Sequence, residues 1–499
     1  MIRSRTSAVV VINGQRHEVS GEQAFMMLAD YLRYSCGLVG TKVVCAEGDC
    51  GACTVLRASV KGLGSETYEA INSCIVMMAQ LDGCDIVTVE GLAPAGQMSP
   101  VQEAVARCHG SQCGYCTPGF VMAITACVQR SGPQLDAQGV KNYLTGNLCR
   151  CTGYAPLIEA TLQVDRAQHQ TLSVRSDMRL ALKSLVKKPL AIETETRKFF
   201  APVTMAEAVR IKRRHSDARL IASATDLGVE MNKGKSAPQT FLSLHLIPEL
   251  YRLKVTARQV SCGARVSLAE LRRGCETILP ELARNLNIFA SPQIKNMATL
   301  VGNIANGSPI GDSLPFLLVS DAAVTVQGSR STRLIPLREL YRGYRQLAIK
   351  ADEIITSVQF QRLEARDGLR LYKVSQRRDL DIATVNAAFA FRLKPQAGGG
   401  WLVEEARIAF GGVGPLAIRC EDAEDALRSR LLNAAQIAIA QELIQKAIAP
   451  LSDLRGSAAY RRVLAGQLFE RYCSEIGGGS LGNLATPSHQ ESGDVHAAN

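Results

Sequence analysis

Aromatic residues make up only 5% of this 499-residue chain, and no apolar stretch reaches the roughly eighteen residues that cross a bilayer. Sparse aromatics leave few platforms for stacking bases, and no nucleic-acid motif is present. The N-terminus has Arg3 and Arg5 followed by the short apolar run Ala8–Ile12, too brief for a secretory signal core. There is no Rossmann G-x-G-x-x-G, no P-loop and no internal repeat. These absences lead to the expectation of a soluble, cytoplasmic protein. The net charge of +11 is spread over 57 basic residues, and the Arg210–Arg214 run reads as a solvated helix face.

Cysteine, by contrast, is plentiful: sixteen residues. A chain this long is no small disulfide scaffold, and the spacings point to metal ligation in a reducing compartment. Cys45, Cys50 and Cys53 lie at C-x4-C-x2-C, with Cys74 further on. That is the plant-type arrangement for a [2Fe–2S] cluster. Gly48 and Gly51 allow the loop to fold back with positive φ. Zinc sites favour paired C-x2-C units and fit this spacing poorly. A second set, Cys113 and Cys116 with Cys149 and Cys151, places a C-x2-C and a C-x-C at helix starts. This spacing is less diagnostic and leaves zinc open; the first set upstream favours a second [2Fe–2S] cluster. The other eight cysteines read as small buried hydrophobes.

The pattern along the chain gives a hairpin over 7–20 turning at Asn13-Gly14, a helix over 24–35, and strands at 54–60 and 86–89. Helices follow from Val101. Residues 164–195 are polar and read as a linker. A strand at 219–223 runs toward a helix that Thr225-Asp226 could cap, a natural pyrophosphate cradle or a plain turn. Ala298–Asp312, rich in Gly, Asn, Ser and Thr, reads either as a phosphate-binding loop or as a tight loop between strands. Strands then alternate to about 410, and helices cover 434–447 and 457–472.

The quoted cysteine loops, together with Asn72-Ser73-Cys74, Gln112–Phe120 and Thr145–Tyr154, resemble the iron–sulfur domains of the molybdenum hydroxylases. Residues 199 to about 475 resemble the flavin domain of that family, through Thr225–Gly228, Gly302-Asn303-Ile304, Ser308–Asp312 and Lys373–Arg377. Within the family the chain resembles the small subunit of bacterial two-subunit xanthine dehydrogenases. There the iron–sulfur and flavin domains share one chain and the molybdenum domain is separate.

The resemblance implies a multidomain α+β chain. It comprises a β-grasp ferredoxin-like domain (1–92), a helical-bundle [2Fe–2S] domain (93–165) and a linker (166–195). An α+β FAD-binding domain (196–366), a C-terminal sheet-and-helix subdomain (367–477) and a disordered tail (478–499) follow. It implies cluster ligands Cys45, Cys50, Cys53 and Cys74 at one site and Cys113, Cys116, Cys149 and Cys151 at the other. Flavin contacts fall on Leu220, Ile221, Ala222, Ser223, Ala224, Thr225, Asp226 and Leu227. Further contacts fall on Phe289, Thr299, Leu300, Val301, Gly302, Asn303, Ser308, Asp312 and Lys373.

No residue of this chain is expected to act as a catalytic acid or base. Electrons would enter from a molybdenum-cofactor-binding large subunit oxidising xanthine to urate, and leave through two [2Fe–2S] clusters and FAD to NAD+. A dimer of two-chain units is implied. A sister hydroxylase acting on an aldehyde or N-heterocycle, or a flavin-deficient electron carrier, are the alternatives. Three positions depart from the family pattern: Val44 and Val301 stand where Gly is usual, and Ser223-Ala224 where a Gly-containing pair is common. Strain would arise at Val301 if its backbone required φ > 0.

Overall fold

The computed structural model describes residues 4–60, 67–93, 96–130, 135–169, 171–397 and 399–476. The tail expected at 478–499 lies outside the described residues.

The N-terminal sheet forms because its strands carry short β-branched runs bounded by turns. Strand β1 (Ala8–Ile12) is buried throughout and pairs antiparallel with β2 (Gln15–Val19), Ile12 opposite Gln15. Asn13 and Gly14 both take positive φ, as a two-residue hairpin turn requires. With β3 (Thr54–Ser59), β4 (Glu69–Asn72) and β5 (Cys84–Val87), the order is β2-β1-β5-β3-β4. The β1–β5 pair is parallel and the others antiparallel.

The helix expected over 24–35 is interrupted: a 3-10 turn spans Gly21–Phe25, and the chain becomes helical again only at Leu28. Before it, Met26 accepts from the Met78 amide at 2.9 Å, and Val76 accepts from the Leu28 amide at 2.7 Å. Extended pairing with 76–78 thus overrides local helical preference.

Four helices follow: Pro100–Arg107, Thr117–Arg130, Ala137–Leu144 and Ala155–Leu162. Ser99 starts the first with a reciprocal cap to Gln102, and Asp136 caps the third through Gly139. Val101, Phe120, Ile124 and Leu157 are fully buried between them.

The stretch expected as a linker carries a helix, Ser176–Leu185, and a strand, Leu190–Glu193. Its composition is polar, but Leu182 packs on Val9 and Val11, and the strand pairs antiparallel with Lys198–Ala201. A few well-spaced apolar residues suffice to dock a polar segment.

Lys198–Ala201, Thr240–Ser243 and Arg219–Ile221 continue that sheet as parallel neighbours. A second, antiparallel sheet orders Leu253–Val255, Gln259–Gly263, Ile354–Gln361, Ala323–Gln327 and Thr332–Pro336. The C-terminal unit is a four-stranded sheet from Arg370–Val374 to Ile418–Arg419. Helices Glu421–Leu427, Ala434–Ala447 and Ala458–Ile476 accompany it. Phe389 sits at its centre, edge-on to Phe410 and stacked on Tyr472. The chain is thus a multidomain α+β protein. Among the described residues no helix is long and apolar enough to cross a membrane.

Candidate functional site

The loop between the first helix and β3 turns back on itself through positive φ at Ala46, Gly48 and Gly51. The turn brings the amides of Glu47 and Cys50 to 3.5 and 3.4 Å from Cys45 Sγ. Such donors favour the thiolate, and the Cys45 thiol is held far below its ordinary range by Cys50, Cys74 and these amides. Cys74 follows β4 and lies against both Cys45 and Cys53. Cys53 and Cys74 are buried, while Cys45 and Cys50 are half-buried.

The second set is more open. Cys113 and Cys151 are exposed, and their sulfurs lie 3.6 Å apart. Two thiolates on one tetrahedral metal, each about 2.3 Å from it, stand roughly 3.8 Å apart. Cys116 and Cys149 form the other pair. Burial resists ionisation of Cys149, but the Thr152 hydroxyl and amide outweigh it and lower its pKa; they lie at 3.1 and 3.4 Å. Cys116, half-buried and facing Cys149, is pushed up to about 12.

Among the described residues no three His, Cys, Asp or Glu side chains gather tightly enough to hold one metal ion. In the first set the sulfur contacts run as a chain, Cys50 to Cys45 to Cys74 to Cys53, and in the second they form two pairs. Sets of four thiols suit a two-iron cluster, which takes two thiolates per iron, better than a single zinc. The donor chemistry and the amide-to-sulfur bonds therefore fit [2Fe–2S] binding.

The flavin-type residues fall in two groups. In the first, Leu220 and Ile221 end a strand and Ser223 is buried. Ala224 takes the left-handed conformation, φ 60° and ψ 22°, and Thr225 opens the helix Thr225–Asn232. Thr225 and Asp226 therefore do not cap this helix but stand inside its first turn with Leu227. Ala224 offers no side-chain acceptor, so the first-turn amides are left for an anionic group. A non-glycine residue in this conformation costs about 1 kcal/mol.

In the second group, Thr299 caps the helix Leu300–Asn306 by accepting from the Gly302 amide at 2.9 Å. Ala298–Asp312 thus contains a helix, where two kinds of loop were expected. Val301 is buried in the first turn with helical φ, so the strain expected there does not arise. Val44 is exposed and likewise free of positive φ. Asn303 accepts from Ser313 at 2.6 Å. Ser308 begins the turn leading to Asp312. Lys373 donates to Asp312 at 2.7 Å and, at 3.4 Å, to Ile288, just before Phe289.

The structure therefore brings Phe289, Asp312 and Lys373 together. The helix that follows Leu220–Ala224 is tied to Arg345 through Glu230, and the Leu300–Asn306 helix to Tyr341 through the Ile304 carbonyl. Asn386 donates to Asp312 at 3.2 Å, and its own Oδ1 has no partner. That acceptor faces the Gly411 backbone on the neighbouring strand; the uncapped helix start is what fits a polar, anionic cofactor. No sequence signal pointed to Asn386, whose strand reads as ordinary sheet.

Lys295 was missed as well. Its ammonium donates to Asn287 at 2.6 Å, so two lysines cap the carbonyl end of the Pro280–Ile288 helix and fix Phe289. Burial, then Arg272 and Lys373, push Lys295 down to about 7. A lysine lowered on folding is protonated in the unfolded chain and neutral in the native one above that value. Stability therefore rises with pH from about 7 toward 10. We expect wild type to gain roughly 2 kcal/mol over Lys295→Met between pH 7 and 9. Urea midpoints of both proteins at the two pH values check this; equal pH responses refute it.

The three domain types meet around the first cysteine set. Asn232, closing the Thr225–Asn232 helix, donates to the carbonyls of Ala46 and Cys74 at 2.7 and 2.8 Å. Gly228 packs so closely that a Cβ would come 2.3 Å from Ile75 O. Gln80 donates to Ser223 O at 3.0 Å. Glu69, nearly buried, receives Arg57, Arg130 and Arg273 at 3.3, 3.0 and 3.7 Å.

Residues 88–162 match a [2Fe-2S] binding domain, 193–360 the FAD binding domain in molybdopterin dehydrogenase, and 370–476 the CO dehydrogenase flavoprotein C-terminal domain. A xanthine dehydrogenase of Drosophila pseudoobscura pseudoobscura is 32% identical over 95% of this chain and 39% of its own. That of Blastobotrys adeninivorans is 28% identical over 93% of this chain and 40% of its own. The chain spans about two fifths of the length of these curated relatives. Carbon monoxide dehydrogenase from Hydrogenophaga pseudoflava superposes with a TM-score of 0.51 at 27% identity, over 56% of this chain and 96% of that one. Quinoline 2-oxidoreductase from Pseudomonas putida 86, 23% identical over 58% of this chain and 100% of that one, shares the fold with a TM-score of 0.51.

Proposed function

We propose that this chain is a member of the molybdenum hydroxylase family and that it is the iron–sulfur and flavin subunit of a bacterial xanthine dehydrogenase. In this reading it accepts electrons from a separate molybdenum-cofactor subunit that converts xanthine to urate, and delivers them to NAD+. The relatives' identity over nearly the whole chain supports xanthine as the substrate class. The observation that supports the reading is the contrast between the two cysteine sets: Cys113 and Cys151 of one are exposed, while the other is bonded through its loop carbonyls to Asn232 of the Thr225–Asn232 helix.

When bound, two [2Fe–2S] clusters supply one-electron steps and FAD supplies the two-electron exchange with a hydride acceptor. The chain's own residues hold and orient. Cys113, Cys116, Cys149 and Cys151 would hold one cluster at the face open to a partner. Exposed Tyr115 and Leu148 flank that face. Cys45, Cys50, Cys53 and Cys74 would hold the other, with Glu47 and Cys50 amides placed to favour thiolate charge. The Thr225–Leu227 amides suit a pyrophosphate, and Lys373 with Asp312 would brace the flavin cradle. The domain division at 1–92, 93–165, 196–366 and 367–477, and a dimer of two-chain units, belong to the same proposal.

Purified chain is expected to carry about four irons and one FAD, and to reduce an artificial dye with NADH. Iron and flavin quantification with a dye assay checks both. Ala224 in its strained conformation favours a second reading, a carrier with weakened flavin affinity. Four irons with little flavin and no NADH-dependent dye reduction would select it. Zinc in place of iron would refute both.

A further inference from the structure

The first cysteine loop lies against both segments that carry the second set. A Cβ on Gly119 would come 2.3 Å from the Gly51 carbonyl oxygen, one on Gly51 2.2 Å from that of Gly146, and one on Gly146 2.0 Å from Gln293 Oε1. Only glycine permits this stacking. Within it the Leu148 amide donates to the Cys50 carbonyl at 3.0 Å. A single hydrogen bond therefore joins a residue of the first sulfur set to the neighbour of Cys149 in the second.

Beside that bridge lies a buried polar junction. Gln293 Nε2 donates to Asn147 Oδ1 at 2.7 Å and to Thr54 Oγ1 at 3.2 Å. Asn147 Nδ2 donates to the Gly51 carbonyl at 3.1 Å. Thr54 follows Cys53, and Asn147 stands two residues before Cys149. Gln293, Asn147 and Thr54 are 1–2% exposed. Gln293 comes from the flavin domain, so each kind of domain contributes one polar side chain. Apolar packing would fill the same space without three amide and hydroxyl groups to satisfy; the network adds a defined spacing.

We infer that Gln293 is a positioning residue for electron transfer between the two cysteine sets. It is the flavin domain's hold on the gap, and it fixes the Leu148–Cys50 bridge. The inference rests on the two-cluster reading above. The transfer concerned would carry one electron from a reduced cluster that Cys113, Cys116, Cys149 and Cys151 would hold to an oxidised one that Cys45, Cys50, Cys53 and Cys74 would hold. No proton is exchanged at Gln293. Electron tunnelling falls steeply with distance and with the loss of bonded contacts, so a loosened bridge slows this step.

The test uses full-length Gln293→Met, which keeps the side chain's shape and removes its two donated bonds. Thr54→Val, which removes one hydroxyl, is the milder companion. Dithionite-reduced wild type is expected to show two cluster signals by electron paramagnetic resonance, split by their mutual proximity. In Gln293→Met the iron content stays, the splitting narrows, and inter-cluster equilibration after flash reduction slows about tenfold. Thr54→Val shifts both in the same direction by less. Two signals in wild type with unchanged splitting and rate in both variants overturn the inference alone. A single signal in wild type overturns the two-cluster reading and the inference with it. Loss of iron from Gln293→Met makes the residue a folding element and also overturns its positioning role.

Discussion

Cys149→Ser is expected to leave FAD on the chain while transfer from a reduced molybdenum partner to the flavin falls by about 100-fold or more. Cys149 stands at the open face, its sulfur held by the Thr152 amide and hydroxyl and paired with Cys116. Those contacts lower its pKa and suit a thiolate. A serine oxygen is a harder, more basic donor on a shorter bond, and it does not replace a soft thiolate on iron. The residues proposed to hold the flavin lie elsewhere, on 220–227, Phe289, 299–303, Ser308, Asp312 and Lys373, so NADH-dependent dye reduction should persist. Rapid-mixing reduction by the partner, beside dye reduction by NADH, separates the two halves of the path. Unchanged transfer from the partner would remove the second cysteine set from it.

The second large effect is on stability. Lys373→Ala is expected to cost about 3–5 kcal/mol, because it strands a buried carboxylate. The Lys373 and Asp312 side chains are 2% and 8% exposed and meet at 2.7 Å. Burial already raises the pKa of Asp312, with Lys373 and Asn386 opposing it. Without the lysine only Asn386 remains, and Asp312 takes up a proton on folding. That penalty is largest above the ordinary carboxylate range and shrinks as pH falls through the raised native value. FAD retention should fall with it, since Lys373 also anchors Ile288 beside Phe289. Denaturant midpoints at pH 5 and 8, with flavin content, check both effects. Lys373→Met with Asp312→Leu should recover most of the stability and none of the flavin. A Lys373→Ala midpoint equal to wild type at both pH values would exclude a structural role for the pair.

What the sequence disclosed depended on the range of the interaction. Asn13-Gly14 demanded its turn, and the spacing of Cys45, Cys50 and Cys53 its loop, because both are set by neighbouring backbone. The helix expected from Ala24 started late because residues 76–78 compete for its backbone, a contact between distant segments. Ala298–Asp312 looked like a loop because Gly, Asn and Ser are weak helix formers. Thr299 at its start and Gly307 at its end, in the left-handed conformation, nevertheless enclose a helix. Residues 166–195 looked like a linker because composition averages away Leu182 and Leu190, which are buried. Asn386, Lys295 and Gln293 were invisible for one common reason. Their partners lie on other elements, and a lone polar residue carries no periodicity.

The eight-residue helix Thr225–Asn232 starts at the uncapped flavin loop and ends with Asn232 bonded to the Ala46 and Cys74 carbonyls. It is a gauge roughly 12 Å long. Inserting one residue would advance its end by about 1.5 Å and turn it by about 100°, carrying Asn232 off the cysteine loop. This segment must therefore keep its residue count. Any graft of a foreign flavin domain onto these iron–sulfur domains must preserve it to the residue.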